Sequence, residues 1–352
     1  GTYSIAITAV AAPQTFAINI GDTIQDGTPS PGAGNIEFPA SYDIYTFAGT
    51  AGDSIFIDRI AFSGTTNIDY TLIDPSGNEL DSHELYQSDL GSIELPETGT
   101  YTLQVGNSSS DQTGTYSIAI TAIPAPQTFA INIGDTIQDG APSAGAGNIE
   151  LPASYDIYTF AGTAGDSIFI DKIAFSGTTT IDYTVIAPSG NELGSRELYQ
   201  SDLGSIELPE TGTYTLQVGD SSSDQTGTYS IAITAVPAPQ TFAINIGDTI
   251  QDGAPSAGAG NIEFPASYDI YTFAGAAGSS IYIENLGYSD ITNVVYKLIS
   301  PSGNELGSRQ FYQADLGNIE LPETGNYTLE VGHPGSDQTG SYSIAIIVHT
   351  AP

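Results

Sequence analysis

Carboxylates are the commonest ionisable groups in this chain, with 41 Asp and Glu among 352 residues. Paired carboxylates can run general acid–base chemistry, and the chain carries its own control for that reading because it repeats. GTYSIAITAV from Gly1 returns in near-identical form from Gly114, Gly227 and Gly340, a step of 113 residues, and residues 11–123 differ from 124–236 at only 12 positions. A catalytic group must persist in every working copy, and several candidates do not. Asp53 and Asp166 become Ser279, Asp69 and Asp182 become Val295, and Asp74 becomes Ala187 and then Ser300. His83, His333 and His349 occupy non-equivalent positions, so no repeated Ser-His-Asp or histidine–metal set can form, and they read as surface residues. Cys is absent, which removes thiolate catalysis, disulfides and Cys-held zinc or iron–sulfur centres. No nucleophile elbow, phosphate-binding Gly-rich loop or H-E-x-x-H motif occurs. The expectation is a non-enzymatic chain.

The charge balance narrows the partners. Five basic residues (Arg59, Lys172, Arg196, Lys297 and Arg309) leave a net charge of −36, so nucleic acid and anionic membrane surfaces, which are bound by clustered Lys and Arg, are excluded. No apolar run approaches the ~20 residues that span a bilayer. Asn107-Ser-Ser and Asn326-Tyr-Thr fit the N-glycosylation pattern but are non-equivalent. Residues 11–123 contain no Lys, so the first repeat cannot form a Lys–Asn isopeptide bond.

A 113-residue period is the size of a domain, well above the 20–50 residues of a solenoid repeat. Three units are expected, at 11–123, 124–236 and 237–352, preceded by residues 1–10, which read as the last strand of an earlier unit or as a donor strand for another molecule. Within a unit the hydrophobic period is two. Phe16, Ile18 and Ile20, then Tyr101, Leu103 and Val105, then Tyr116, Ile118 and Ile120 alternate with smaller or polar residues, as half-buried strands do. Further strands are expected at 42–48, 54–62, 67–73, 84–88 and 92–95, between turn signals such as Pro75-Ser76-Gly77-Asn78. Eight short strands at this spacing predict an all-β chain of three tandem antiparallel β-sandwiches with jelly-roll or Greek-key topology and no helix. Tyr3, Tyr45, Tyr70 and Tyr101 are expected at the rim of the cores with their hydroxyls in water. Tyr42, Phe56 and Tyr86 are expected on the opposite face, where they could line contacts between domains or filaments. The junction Ala122-Ile123-Pro124-Ala125-Pro126 is short and stiffened by proline. The third unit diverges most, at residues 279–300 and at His333-Pro334-Gly335, as end units of arrays do.

Asp43-Ile-Tyr-Thr-Phe47 followed by Ala51-Gly-Asp53-Ser-Ile, then Tyr70 to Asn78, then Leu95 to Val105 with Gly114-Thr-Tyr-Ser-Ile118, resemble the bacterial pre-peptidase C-terminal domain family over nearly the whole repeat. The resemblance implies a jelly-roll-like sandwich, export from the cell, and a binding or spacing role without catalysis. The related collagen-binding domains of bacterial collagenases hold calcium on acidic residues ahead of the D-x-Y-x-F strand. The matching positions are Asp26, Asn35, Glu37 and Asp43, repeated as Asp139, Asn148, Glu150 and Asp156 and as Asp252, Asn261, Glu263 and Asp269. Their hard oxygens suit calcium, which takes six to eight such ligands. Against this, the denser run of adjacent acids is missing, and the bland alternative is that these groups solvate a loop and cap turns.

Three functions follow. The first is a structural one, the stalk of a long extracellular bacterial filament or adhesin that gains length by repetition and assembles with itself head-to-tail or laterally, with strand addition by residues 1–10 as one route. The second is a set of polysaccharide- or matrix-binding modules that gain avidity by repetition, which exposed aromatics at equal positions in all three units would favour. The third is the non-catalytic tail of a secreted hydrolase.

Overall fold

The computed structural model describes residues 12–64, 67–177 and 180–348. The strand expected at residues 1–10, with Tyr3, and His349 lie outside the described residues. All regular structure in them is β, and no helix long and apolar enough to cross a membrane occurs among them. Ten strands make up the first repeat: β1 (Gln14–Ala17), β2 (Thr23–Ile24), β3 (Asn35–Ile36), β4 (Tyr42–Gly49), β5 (Ser54–Ser63), β6 (Asp69–Ile73), β7 (Glu79–Glu84), β8 (Gly91–Glu94), β9 (Gly99–Gly106) and β10 (Gly114–Ile123). The set recurs from β11 (Gln127–Ala130) to β20 (Gly227–Val236) and from β21 (Gln240–Ala243) to β30 (Gly340–Val348).

Each set forms two five-stranded sheets. One has the order β1-β4-β9-β6-β7; in the other, β2 and β3 both pair with β10, which continues to β5 and β8. Alternation puts Tyr45 and Phe47 of β4, Tyr70 and Leu72 of β6, and Tyr101, Leu103 and Val105 of β9 on the buried face of the first sheet. They share one core with Ile55 and Ile57 of β5 and with Tyr116, Ile118 and Ile120 of β10. Rings stack across strands within the first sheet, Phe16 on Tyr45 at 5.1 Å and Phe47 on Tyr101 at 5.7 Å between centroids, in the offset range that adds to simple area burial.

Four expectations need correction. The pairing is not wholly antiparallel, since β1 runs parallel to β4. The chain leaves β1, contributes β2 and β3 to the other sheet and only then returns, and such a crossover is what a parallel neighbour requires. The first strand stops at Ala17 rather than Ile20, because Asp22 Oδ2 accepts the Asn19 backbone N–H at 2.8 Å and turns the chain. The strand expected at 84–88 lies at 79–84; Leu85 and Leu90 are separate buried anchors of a loop rather than one face of a strand. Finally, Tyr45, Tyr70 and Tyr101 are fully buried, and their hydroxyls bond inside the protein. Tyr70 donates to Ser88 O, and Tyr101 donates to Glu97 O at 2.7 Å.

Of the three residues assigned to the opposite face, Tyr86 is exposed, Phe56 is completely covered, and Tyr42 is half-buried with its hydroxyl accepting the Ser108 N–H at 2.8 Å. Between repeats, β10 ends at Ile123 and β11 begins at Gln127, so only Pro124, Ala125 and Pro126 separate them.

Gly34 carries a demand that no other residue meets. Its φ is +70°, a Cβ there would stand 2.2 Å from the Gln25 carbonyl carbon, and its N–H donates to Tyr45 Oη at 2.8 Å. Replacing Gly34, Gly147 and Gly260 together by Ala is expected to cost about 2 kcal/mol or more per repeat, through a strained left-handed backbone and a steric clash. Urea unfolding followed by circular dichroism checks this, and an unchanged midpoint would refute it.

Candidate functional site

The most polar part of each core is built from β4, β10 and the loop that carries Gly34. Asp43 and Tyr45 lie two residues apart on β4, so both point inward, and Tyr116 meets them from the opposing sheet. Asp43 is 2% exposed. Tyr116 Oη donates to Asp43 Oδ2 at 2.5 Å, and Tyr45 Oη lies 2.8 Å from Tyr116 Oη and 3.4 Å from the same carboxylate oxygen. Asp156, Tyr158 and Tyr229 repeat the arrangement, as do Asp269, Tyr271 and Tyr342. Burial pushes Asp43, Asp156 and Asp269 from 3.8 up to about 6, against the lowering effect of the tyrosine hydroxyls that bond each carboxylate. Tyr116, Tyr229 and Tyr342 are raised well above the ordinary phenol value, first by the same burial.

These carboxylates were among the calcium candidates, and the structure brings the set only partly together. The Asn35 backbone bonds Asp43 and Glu37 lies near enough to raise its pKa, as Asn148 with Glu150 and Asn261 with Glu263 do for Asp156 and Asp269, but the carboxylate oxygens of Asp26, Glu37 and Asp43 do not converge within 4.8 Å. Asp26, Asp139 and Asp252 are exposed on a turn. Asn35, Asn148 and Asn261 begin or occupy two-residue strands. Glu37 and Glu263 accept the side-chain amides of Gln14 and Gln240 at 2.8 and 2.6 Å, and Glu150 is likewise exposed. Asp43 and its equivalents face tyrosine hydroxyls, in surroundings that favour the protonated form over the anion a cation needs. Residues so arranged do not fit a calcium ion.

Carboxylates do converge elsewhere. Asp58 and Asp89 of the first repeat meet Asp224 of the second, and Asp171 and Asp202 of the second meet Asp337 of the third, with ligand-type oxygens all within 4.8 Å in each group. Burial, then Asp89 and Asp224, push Asp58 up to about 6, with Arg59 opposing; Asp171 is raised in the same way by burial, Asp202 and Asp337, with Lys172 opposing. The triads went unnoticed in the sequence, although their signal is there: Asp58, Asp171 and Glu284 keep an acid, as do Asp89, Asp202 and Asp315, and Asp111, Asp224 and Asp337. The excluded candidate Asp53 also belongs to this junction. With Ser54, Ser92, Pro124, Tyr155 and Ser221 it lines a cleft of about 410 Å³, and Asp166 lies in the equivalent cleft of about 390 Å³ between the second and third repeats. There Ser205 N donates to Pro334 O at 3.3 Å.

The strand that carries Asp43 and Tyr45 opens the segment that relates this chain to known proteins. A family profile matches residues 41–107 and again 154–220. Two of the repeats match the bacterial pre-peptidase C-terminal domain. Each match runs from the residue before β4, or its equivalent, to the residue after β9 or its equivalent, so it covers the paired β4 and β9 of one sheet and the strands between them in sequence. No curated protein matches the chain. Among solved structures, the pre-peptidase C-terminal domain of a Bacillus anthracis collagenase is 21% identical, covering 31% of this chain and 96% of its own, with a TM-score of 0.22. PliG, a periplasmic inhibitor of g-type lysozyme from Aeromonas hydrophila, is 14% identical over 31% of this chain and 100% of its own, with a TM-score of 0.21. The CUB1-EGF-CUB2 domains of rat MASP-1 are 11% identical over 63% and 100%, with a TM-score of 0.23. Scores of this size establish no common fold.

The buried carboxyls set a pH dependence. Each is raised from 3.8 to about 6 on folding, so its contribution is fully present below about pH 4 and is lost as pH rises through about 6, by up to about 3 kcal/mol per repeat. Melting temperature at fixed ionic strength is therefore expected to fall between pH 4 and 7. Asp→Asn at 43, 156 and 269 together should flatten that fall, whereas an unaltered slope in the variant would assign it to surface charge.

Proposed function

We propose that this chain is part of an extracellular structural array of a bacterium, made of jelly-roll-like β-sandwich modules set end to end, without catalytic activity of its own. The observation that carries the reading is the junction. Two successive junctions use the same three-residue Pro-Ala-Pro linker, the same cleft-lining positions and the same carboxylate positions. Repetition of a contact, and not only of a domain, is what a chain needs if it is to extend with constant geometry. The pre-peptidase C-terminal match supports a non-catalytic module of secreted bacterial proteins.

The electrostatics fit the same reading. Net charge of −36 spread over three similar units keeps units apart in solution. The acidic triads add like-charge repulsion at each junction, which cations in the surrounding medium weaken by screening. A second reading, the tail of a secreted hydrolase, is favoured by the family match itself, because that domain is named from its position after a peptidase.

Small-angle X-ray scattering of the chain at moderate ionic strength tests the array. A cross-section set by one module, whose own radius of gyration is about 13 Å, and a maximum dimension near three module lengths are expected. A profile of a compact globule, or of three modules in random orientation, would contradict it.

A further inference from the structure

Large apolar side chains left in solvent recur at the repeat spacing. Ile60, Ile173 and Leu286 are each at least half exposed, and so are Tyr86, Tyr199 and Tyr312. The first set is placed outside by backbone design. In β5, Arg59 pairs with Ile118 and Ala61 with Ser117, so Ile60 is the extra residue of a β-bulge. Ile173 in β15 (Ser167–Ser176) and Leu286 in β25 (Ser280–Tyr288) hold the same place. A bulge gives up a ladder position and re-aims a side chain, and here it aims an aliphatic one into water in every repeat. The loop bearing the tyrosine is tied to this bulge. Lys172 Nζ donates to Gln200 O at 2.8 Å and Asn285 Nδ2 to Phe311 O at 2.8 Å.

The scarce cations gather at the same place. Four of the five occupy two repeat positions, Arg59 with Lys172 and Arg196 with Arg309, and the second pair sits three residues before Tyr199 and Tyr312. Arg196 and Arg309 are exposed, and among the described residues neither lies within ion-pair distance of a carboxylate, in a chain with 41 of them. Exposed Tyr, Arg and a branched aliphatic chain make the composition of a protein-contact hot spot. A complementary surface recurs on the same chain. Phe38, Leu151 and Phe264 are exposed apolar residues, and each directly follows an exposed carboxylate, Glu37, Glu150 or Glu263.

We propose that the aliphatic–Tyr–Arg surface of the second and third repeats, whose arginine position is His83 in the first, docks the Glu–Phe/Leu loop of a second copy of this chain, giving lateral association of arrays. The contact is heterologous, with two different patches. Because the arginine-bearing patch occurs in two successive repeats and the acidic loop in all three, at the same 113-residue step, one register satisfies more than one contact at once and weak pairs add through avidity. The aliphatic residue on the bulge favours a polypeptide over an acidic polysaccharide, which could meet the arginine and stack on the tyrosine but has no apolar group for Ile173. The proposal rests on the extended array of the previous subsection, yet scattering can show an array while association fails.

Sedimentation velocity of the full chain over micromolar to millimolar concentration tests it. Concentration-dependent association is expected, weakened at least tenfold in a variant carrying Arg196→Glu and Arg309→Glu, and equally in one carrying Glu37→Arg, Glu150→Arg and Glu263→Arg. Mixing the two variants should restore it, because the altered patch of one then matches the altered loop of the other; circular dichroism verifies that both fold. A chain that stays monomeric throughout would overturn the proposal, as would association indifferent to either variant, or a mixture that fails to recover. So would hyaluronate bound by the monomeric chain and lost with Arg196→Glu and Arg309→Glu.

Discussion

A carboxyl group buried between two sheets and shared by two tyrosine hydroxyls is the constraint from which the rest of each repeat can be read. Asp43 and Tyr45 belong to one sheet and Tyr116 to the other, so their hydrogen bonds fix the sheets against sliding, which apolar contacts alone, being non-directional, do not. The Gly34 N–H completes the set, which explains why a loop must approach without a Cβ. β10 then carries the consequence outward. It is held centrally by β2, β3 and β5, its register with β5 contains the bulge that exposes Ile60, and its end leads through three residues to the next repeat.

Placing a carboxyl there opposes ordinary solvation. Burial favours the protonated acid, and the hydroxyls partly restore what water would have given. The outside of the molecule has the opposite problem, an excess of ionised carboxylates with few cations; among the described residues the pair of Lys297 with Glu330 at 2.8 Å is the one Lys or Arg ion pair. The same residue type therefore locks each module from inside and loads each junction from outside. The triads of Asp58, Asp89 and Asp224 and of Asp171, Asp202 and Asp337 show how close that loading comes.

The repeat, the strands and most of the core were legible because period-two alternation reports a face directly: Tyr45, Phe47, Leu103, Val105, Ile118 and Ile120 all face the core. Tyrosine misled because alternation says which way a side chain points and not what its hydroxyl meets; Tyr45 points inward and finds Asp43. Asp43 itself was read as a metal ligand because an acid before an aromatic strand looks the same in sequence whether it faces a loop cation or a buried phenol. The parallel pairing of β1 with β4 and the junction triads depend on contacts between distant segments, which no local pattern encodes. The strand expected at 84–88 is a loop after the strand at 79–84, and a short stretch with a buried Leu85 beside an exposed Tyr86 does not tell loop from strand until the pairing partners are known.

The protonation state of the buried carboxyls tests this account most directly. Carbon-13 NMR titration of Asp side-chain carboxyls, assigned at Asp43, Asp156 and Asp269, should show three nearly coincident transitions near pH about 6 in the folded chain. Midpoints close to the free-acid value of about 4, with chemical shifts of solvated carboxylates at neutral pH, would contradict it and return these residues to the surface role that the sequence first suggested.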